Sequence, residues 1–288
     1  MTQQAILVKN LTFSYGDNLA VDHVTFDVAP GEVIGFLGPN GAGKSTTVKL
    51  LTGQLTPSEG TAVLLGLDIV KQRKQVQQQI GVSFENTNLY EQMNAIENLT
   101  LFARLFGVKN FDAISLLEKV GLAGREKDRV ASYSKGMKQR LMLARALVSN
   151  PKILFLDEPT EGLDPVSAQT IHALIRTATG QGTTVFLTTH DMVEADKLSD
   201  RVAFINKGKI VALDRPSRLK QQYGQRALKV EVELPDGETE ILEVPLDNGQ
   251  TAQAVFELFQ NGRVVTVHSE EATLEDIFVD ITGRGLQG

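Results

Sequence analysis

The chain contains no cysteine, so neither a disulfide framework nor a thiolate zinc site enters the reading. It also lacks any apolar run near the ~18 residues that cross a bilayer as a helix. Its opening residues, Met1-Thr2-Gln3-Gln4, carry no basic-then-apolar signal pattern. A soluble protein on the cytoplasmic side is therefore expected, and any membrane role is peripheral. A formal net charge of -6 offers no excess of positive charge for a broad nucleic-acid face, so no nucleic acid is expected as a partner. What is present, 42% hydrophobic and 22% charged residues over 288 positions, is ordinary globular composition with room for a main domain and a small second one.

One stretch organises the rest. Gly38-Pro39-Asn40-Gly41-Ala42-Gly43-Lys44-Ser45, followed by Thr46, fits the phosphate-loop pattern G-x-x-x-x-G-K-[ST]. Its glycines let successive backbone N–H groups point at phosphate oxygens, Lys44 adds a charge near the β/γ-phosphates, and the Ser45 hydroxyl suits Mg²⁺. Apolar Val33 to Leu37 reads as the strand before it, and Thr46 to Leu51 as the opening of a helix whose N-terminal dipole favours an anion. At ordinary glycine usage, roughly one chain in a hundred of this length matches by chance, and the strand–loop–helix context lowers those odds. The expectation is a nucleotide-phosphate site.

Around the loop, residues 5 to 28 alternate apolar and polar and read as antiparallel strands. Tyr15 sits at a turn among them, where an aromatic either stacks on a purine or packs on its own sheet. From Glu85 to Asn150 the spacing becomes helical. Leu99, Phe102, Ala103 and Phe106 share one face, as do Ile114, Leu117 and Val120, and both stripes read as core. Lys152 to Glu158 is an apolar run ending in two carboxylates, the pattern of a parallel strand buried on both faces with its carboxyl end at a ligand site. Unpaired carboxylates are costly as core residues. Opposite a phosphate loop they have work to do: Asp157 can hold Mg²⁺ and Glu158 can polarise a water for attack on the γ-phosphate.

Thr183 to Leu187 is another buried strand, ending in Thr188-Thr189-His190 at the same sheet edge, which favours a phosphate contact for His190. His23, His172 and His268 have no comparable context and receive no role. Arg201 to Leu213 folds back about Lys207-Gly208 as a hairpin. The tail resumes alternation from Leu228, turns at Pro235-Asp236-Gly237, and continues with a helix from Thr251, a strand from Arg263 and a last helix behind Thr273-x-x-Asp276. It forms a small α+β unit of roughly 65 residues, with packing or dimer contact as its plain role.

Taken together, these stretches and the segment Ser134-Lys135-Gly136-Met137-Lys138-Gln139-Arg140, with Leu156-Asp157-Glu158-Pro159, Gly162-Leu163-Asp164 and His190, resemble the ATP-binding subunit of an ABC (ATP-binding cassette) transporter. The resemblance covers about residues 5 to 215. It implies an α/β phosphate-loop NTPase cassette over residues 1–222, with a mixed sheet core, an antiparallel β subdomain and an inserted α-helical subdomain at about 85–150. A small C-terminal α+β domain, 223–288, follows. It further implies a head-to-tail pair of ATP-binding subunits, integral membrane permease subunits as partners, and ATP with Mg²⁺ at the interface. Tyr15 would stack on adenine, Gly38 to Thr46 would hold the phosphates, and Glu158 and His190 would be catalytic. Ser45, Glu85 and Asp157 would face the metal, while Ser134 and Gly136 would meet the ATP of the opposing subunit. Ser134 stands before a helix, where its hydroxyl and the free N–H groups suit an anion from outside.

Three features depart from the family pattern: one residue, one segment, and the tail, which many members lack. Glu85 stands where a Gln is usual, adding negative charge beside a polyanion. Tyr133-Ser134-Lys135-Gly136-Met137 replaces Leu-Ser-Gly-Gly-Gln, which leaves Lys135 either facing the opposing ATP or solvated. The ending Leu274-Glu275-Asp276-Ile277-Phe278, with Thr282-Gly283, resembles drug-resistance and lipid-export ATPases. An exporter ATPase is the expected function. The alternative, a cassette ATPase acting on ribosomes or in DNA repair, usually brings two cassettes, long coiled-coil insertions or zinc insertions, none of which this chain carries.

Overall fold

In the computed structural model, which describes residues 4–224, 226–233, 237–246, 251–261 and 263–283, two kinds of strand follow from two kinds of patterning. The alternating segments form β1 (Ile6–Tyr15) and β2 (Asn18–Val28), paired antiparallel with one face buried. The continuous apolar run forms β3 (Val33–Leu37), buried at every position and leading through the glycine loop into α1 (Lys44–Leu51). β4 (Glu59–Leu64) and β5 (Leu67–Asp68) complete a four-stranded antiparallel sheet in the order β2-β1-β4-β5. The polar stretch beyond it gives a short α2 (Arg73–Gln77) that buries only Val76, and β6 (Ile80–Ser83) enters a second sheet.

The helical block has its own core. α3 (Ala95–Leu105) opens on a capping box in which Asn94 accepts from the Glu97 N–H and Glu97 accepts from the Asn94 N–H. Asp112 caps α4 (Ala113–Lys119) and Ser134 caps α5 (Lys135–Leu147). Leu99, Ala103, Leu117 and Val120 meet Leu141 and Ala144 of α5 in a cluster separate from the sheets. Phe106 and Ile114, expected in that core, are instead 44% and 51% exposed. Phe106 is the C-cap, where α3 stops before the stripe completes another turn, and Ile114 lies off the face shared by Ala113 and Leu117.

β7 (Ile153–Asp157), α6 (Pro165–Gly180), β8 (Thr184–Thr189), α7 (Met192–Leu198), β9 (Arg201–Asn206) and β10 (Lys209–Asp214) finish this part. The second sheet runs β10-β9-β3-β8-β7-β6, parallel except for β10, which returns through Lys207 and Gly208, both at positive φ. Phe26 of β2 and Phe36, Phe155 and Phe186 of this sheet lie with ring centroids 5.2 to 5.9 Å apart, so one aromatic core holds both sheets. Because β3, β6, β7 and β8 are parallel, their carboxyl ends open on one edge.

The chain divides into two compact units, Met1–Asp214 and Arg215–Gly288. The second holds α8 (Pro216–Tyr223), β11 (Arg226–Glu233), β12 (Thr239–Pro245), α9 (Thr251–Asn261), β13 (Arg263–Glu271) and α10 (Leu274–Thr282). Its antiparallel sheet, β12-β11-β13, buries Val230, Val232 and Val244 with Val255 and Leu258 of α9. α8, which the sequence reading leaves in the first domain, packs on α10, so the division falls after Asp214. Thr273 and Asp276 form the capping box anticipated for α10. Of the turn anticipated at Pro235-Asp236-Gly237, only Gly237 lies within the described residues.

Candidate functional site

Two glycines of the loop are dictated by contact. A Cβ on Gly38 would run into the Ile205 carbonyl, and one on Gly43, at φ 108°, into the Ala20 carbonyl. Gly43 is also the N-cap of α1 and offers no side-chain cap, which leaves the first N–H groups of α1 without a side-chain acceptor. Lys44 is buried and folds back to donate to the Gly38 carbonyl at 2.6 Å. Its Nζ lies 3.2 Å from Glu158 Oε1. The charges attract at that separation, but the alignment is not that of a hydrogen bond, so Oε1 is a buried oxygen without a donor.

Beneath the loop, Ser45 Oγ donates to Asp157 Oδ1 at 3.2 Å and Thr188 Oγ1 donates to the same oxygen at 2.5 Å. Burial pushes the Asp157 carboxyl up from the usual carboxylate range, and the two hydroxyls offset part of that. Glu158 sits at φ 48°, in the left-handed region. Its Oε2 accepts from the His190 backbone N–H at 3.3 Å and lies 2.9 Å from His190 Nδ1. A carboxylate oxygen only accepts, so Nδ1 carries the ring hydrogen.

These groups open on one cleft of about 430 Å³ that gathers Tyr15, Pro39, Asn40, Gly41, Gly43, Lys44, Ser45, Thr46, Glu85, Glu158 and His190. Gly38, Ala42 and Asp157 are buried beside it. The Tyr15 ring meets Phe13 edge-on at 4.9 Å and is 46% exposed, which leaves surface for a second aromatic. Ser134 and Gly136 do not join this cleft. Ser134 is exposed at the head of α5, and Gly136 is buried against Ser167. Lys135 lies with its ammonium against Gly162 of the same chain.

The sequence reading passed over Asn18, Ala20 and Glu161, which also line the cleft, and Thr188. Glu161 follows Glu158 by three residues in one loop, and Thr188 precedes His190 by two, so proximity to the motifs was the available signal. Asn18 and Ala20 arrive through the tertiary path of β2, for which no local signal exists. Partial burial raises the Glu85 carboxyl, and Glu161, Asp157 and Glu158 raise it further. With four carboxylates and one lysine, the site is too negative to face a polyanion without a cation. Ser45 Oγ and Asp157 Oδ1 are the hard oxygen donors Mg²⁺ takes. Among the described residues no group of three ligating side chains forms a ready cage, so phosphate and water oxygens would complete the set.

The family model described as ABC transporter matches residues 21–161. Over 98% of its length the chain is 45% identical to a fluoroquinolones export ATP-binding protein of Mycobacterium tuberculosis (strain CDC 1551 / Oshkosh), covering 95% of that protein. It is 36% identical to the Nod factor export ATP-binding protein I of Paraburkholderia xenovorans (strain LB400), over the full length of both. A solved structure, described as the ATP binding subunit of an ABC transporter, superposes with a TM-score of 0.70 at 29% identity, covering 76% of this chain and 93% of that one.

Proposed function

The chain belongs to the ABC transporter family as an ATP-binding subunit, and on that premise we propose that closure of a head-to-tail pair of such subunits on ATP drives export of drug-like, lipid or other hydrophobic compounds. It is an ATPase of an ATP-powered exporter. The observation that carries the proposal is the contact of Glu158 with both Lys44 and His190 at the mouth of the phosphate loop, while Ser134 and Gly136 stand outside that cleft.

In this reading Tyr15 stacks on adenine, and the loop N–H groups and Lys44 take the phosphates. An arriving polyphosphate competes with Glu158 for Lys44, and that exchange frees the carboxylate to orient a water. His190 holds Glu158 and reaches the γ-phosphate. Ser45 and Asp157, with Glu85 at the rim, would hold Mg²⁺, which when bound neutralises phosphate charge. Ser134 and Gly136 serve the ATP of the opposing subunit. The membrane subunits meet a groove of about 310 Å³ lined by Phe84, Phe102, Phe106 and Arg145. Arg145 is buried there, its guanidinium 4.7 Å from the Phe102 centroid and bonded to the Asn88 carbonyl at 2.7 Å, with its pKa lowered to about 10 by burial. Phe84 in that groove directly precedes Glu85 in the cleft, a short route from docking to chemistry. The second unit, 215–288, is an accessory domain for packing or dimer contact.

The test is capture from native membranes with tagged Glu158→Gln protein held in ATP and Mg²⁺. Recovery of a polytopic membrane protein supports the reading and identifies the partner. Recovery of ribosomes or DNA-repair proteins without one overturns it.

A further inference from the structure

A second buried carboxylate lies behind the site. Glu194, in the first turn of α7, is 3% exposed. Its Oε1 accepts from Thr160 Oγ1 at 2.7 Å and lies 2.9 Å from His172 Nε2, while Oε2 is buried without a donor. A carboxylate so incompletely bonded is a poor way to stabilise a fold, since an apolar side chain of similar size would avoid the desolvation cost. The reason for it is better sought in what it joins. Thr160 lies in the loop that begins with Glu158 and ends at Asp164, the N-cap of α6. His172 is on α6. α7 itself begins immediately after His190, at the N-cap Asp191.

One oxygen thus ties three segments: the loop carrying Glu158, the helix that follows that loop, and the helix that follows His190. Within the loop, Glu158 and Gly162 both have positive φ, and the described bonds Glu161 N–H to Glu158 O and Leu163 N–H to Thr160 O stay inside it. The Thr160–Glu194 bond anchors its middle to another element. We propose that Glu194 is a positioning residue of the ATPase: by holding Thr160 and His172 on one oxygen it fixes the loop against α7 and so sets the Glu158–His190 geometry. The proposal rests on the reading of Glu158 as the group that orients the attacking water. Misplacement of such a group by about 1 Å lowers turnover on the order of a hundredfold without a matching change in substrate binding.

Steady-state ATP hydrolysis by the 288-residue chain tests it. Glu194→Ala and Thr160→Val should each lower kcat about tenfold to a hundredfold, with KM for ATP held within about twofold. The double variant should be no worse than Glu194→Ala, because the Thr160 link that Thr160→Val removes is already lost with Glu194. Glu194→Gln keeps an oxygen that accepts from Thr160 and His172, and Thr160→Ser keeps the hydroxyl, so both should restore most of kcat. Should Glu194→Ala fail to fold, Thr160→Val carries the test alone. Unchanged kcat in Thr160→Val, multiplicative losses in the double variant, or KM and kcat moving together would each overturn the proposal. Glu158→Gln separates the two readings. If it keeps turnover, the role of Glu158 fails and this inference with it; if it loses turnover while Thr160→Val is unaffected, this inference alone fails.

Discussion

At Asp157 the demands of the proposed chemistry and of folding oppose each other. Burial raises its carboxyl above the usual range, so the native state binds this proton more tightly than the unfolded chain. That contribution to stability is complete below the unfolded value of about 3.9 and is lost as pH rises through the raised native value. At neutral pH the ionised group is therefore a liability in the protein alone. Asp157→Asn keeps an acceptor for Ser45 and Thr188 and carries no charge. In scanning calorimetry without Mg²⁺ or nucleotide it should raise Tm by about 2–4 °C at pH 7. The gap should narrow toward pH 4, while ATP turnover is lost. A lower Tm at pH 7 would contradict the burial account. Lys135 is an adjacent lesson: its ammonium rests near Gly162 of its own chain, which favours neither alternative raised by its sequence position.

Among the elements, the helical block is built on end signals rather than on length. The reciprocal bonds of Asn94 and Glu97 start α3, and no residue of α3 lines the proposed nucleotide cleft. Asn94→Ala should lower the free energy of unfolding by about 1 kcal/mol in urea titration and leave KM for ATP unchanged; a shift in KM would mean that α3 reaches the cleft. The same caps explain what was legible in the sequence. Ser134, Thr273 with Asp276, the hairpin at Lys207-Gly208 and the buried strands all declare themselves by local pattern, and the phosphate loop and Asp157-Glu158 by motif and burial logic. Phe106 is misread because spacing marks a face but not where the helix stops, and Ile114 because the face that α4 buries runs through Ala113 and Leu117. His172 and Glu194 stayed hidden for another reason. Their meeting depends on how α6, α7 and the loop after β7 pack, and no short window of sequence encodes it.

For the molecule as a whole, four parallel strands deliver the phosphate loop, Glu85, Asp157 with Glu158, and His190 to one edge, yet Ser134 and Gly136 remain elsewhere on the same chain. Under the proposed pairing, Lys44→Ala and Ser134→Ala chains are each inactive alone. Mixed in equal amounts, half of the pairs are mixed and each of those holds one complete site, so about a quarter of wild-type turnover should return. No recovery would place Ser134 in the same site as its own Lys44. The separation also has a hereditary consequence. A chain with a dead cleft still lends an intact Ser134 segment to a healthy partner, so it would silence its own site and spare the other, and the mutation would be felt in proportion to its dose rather than as a dominant one.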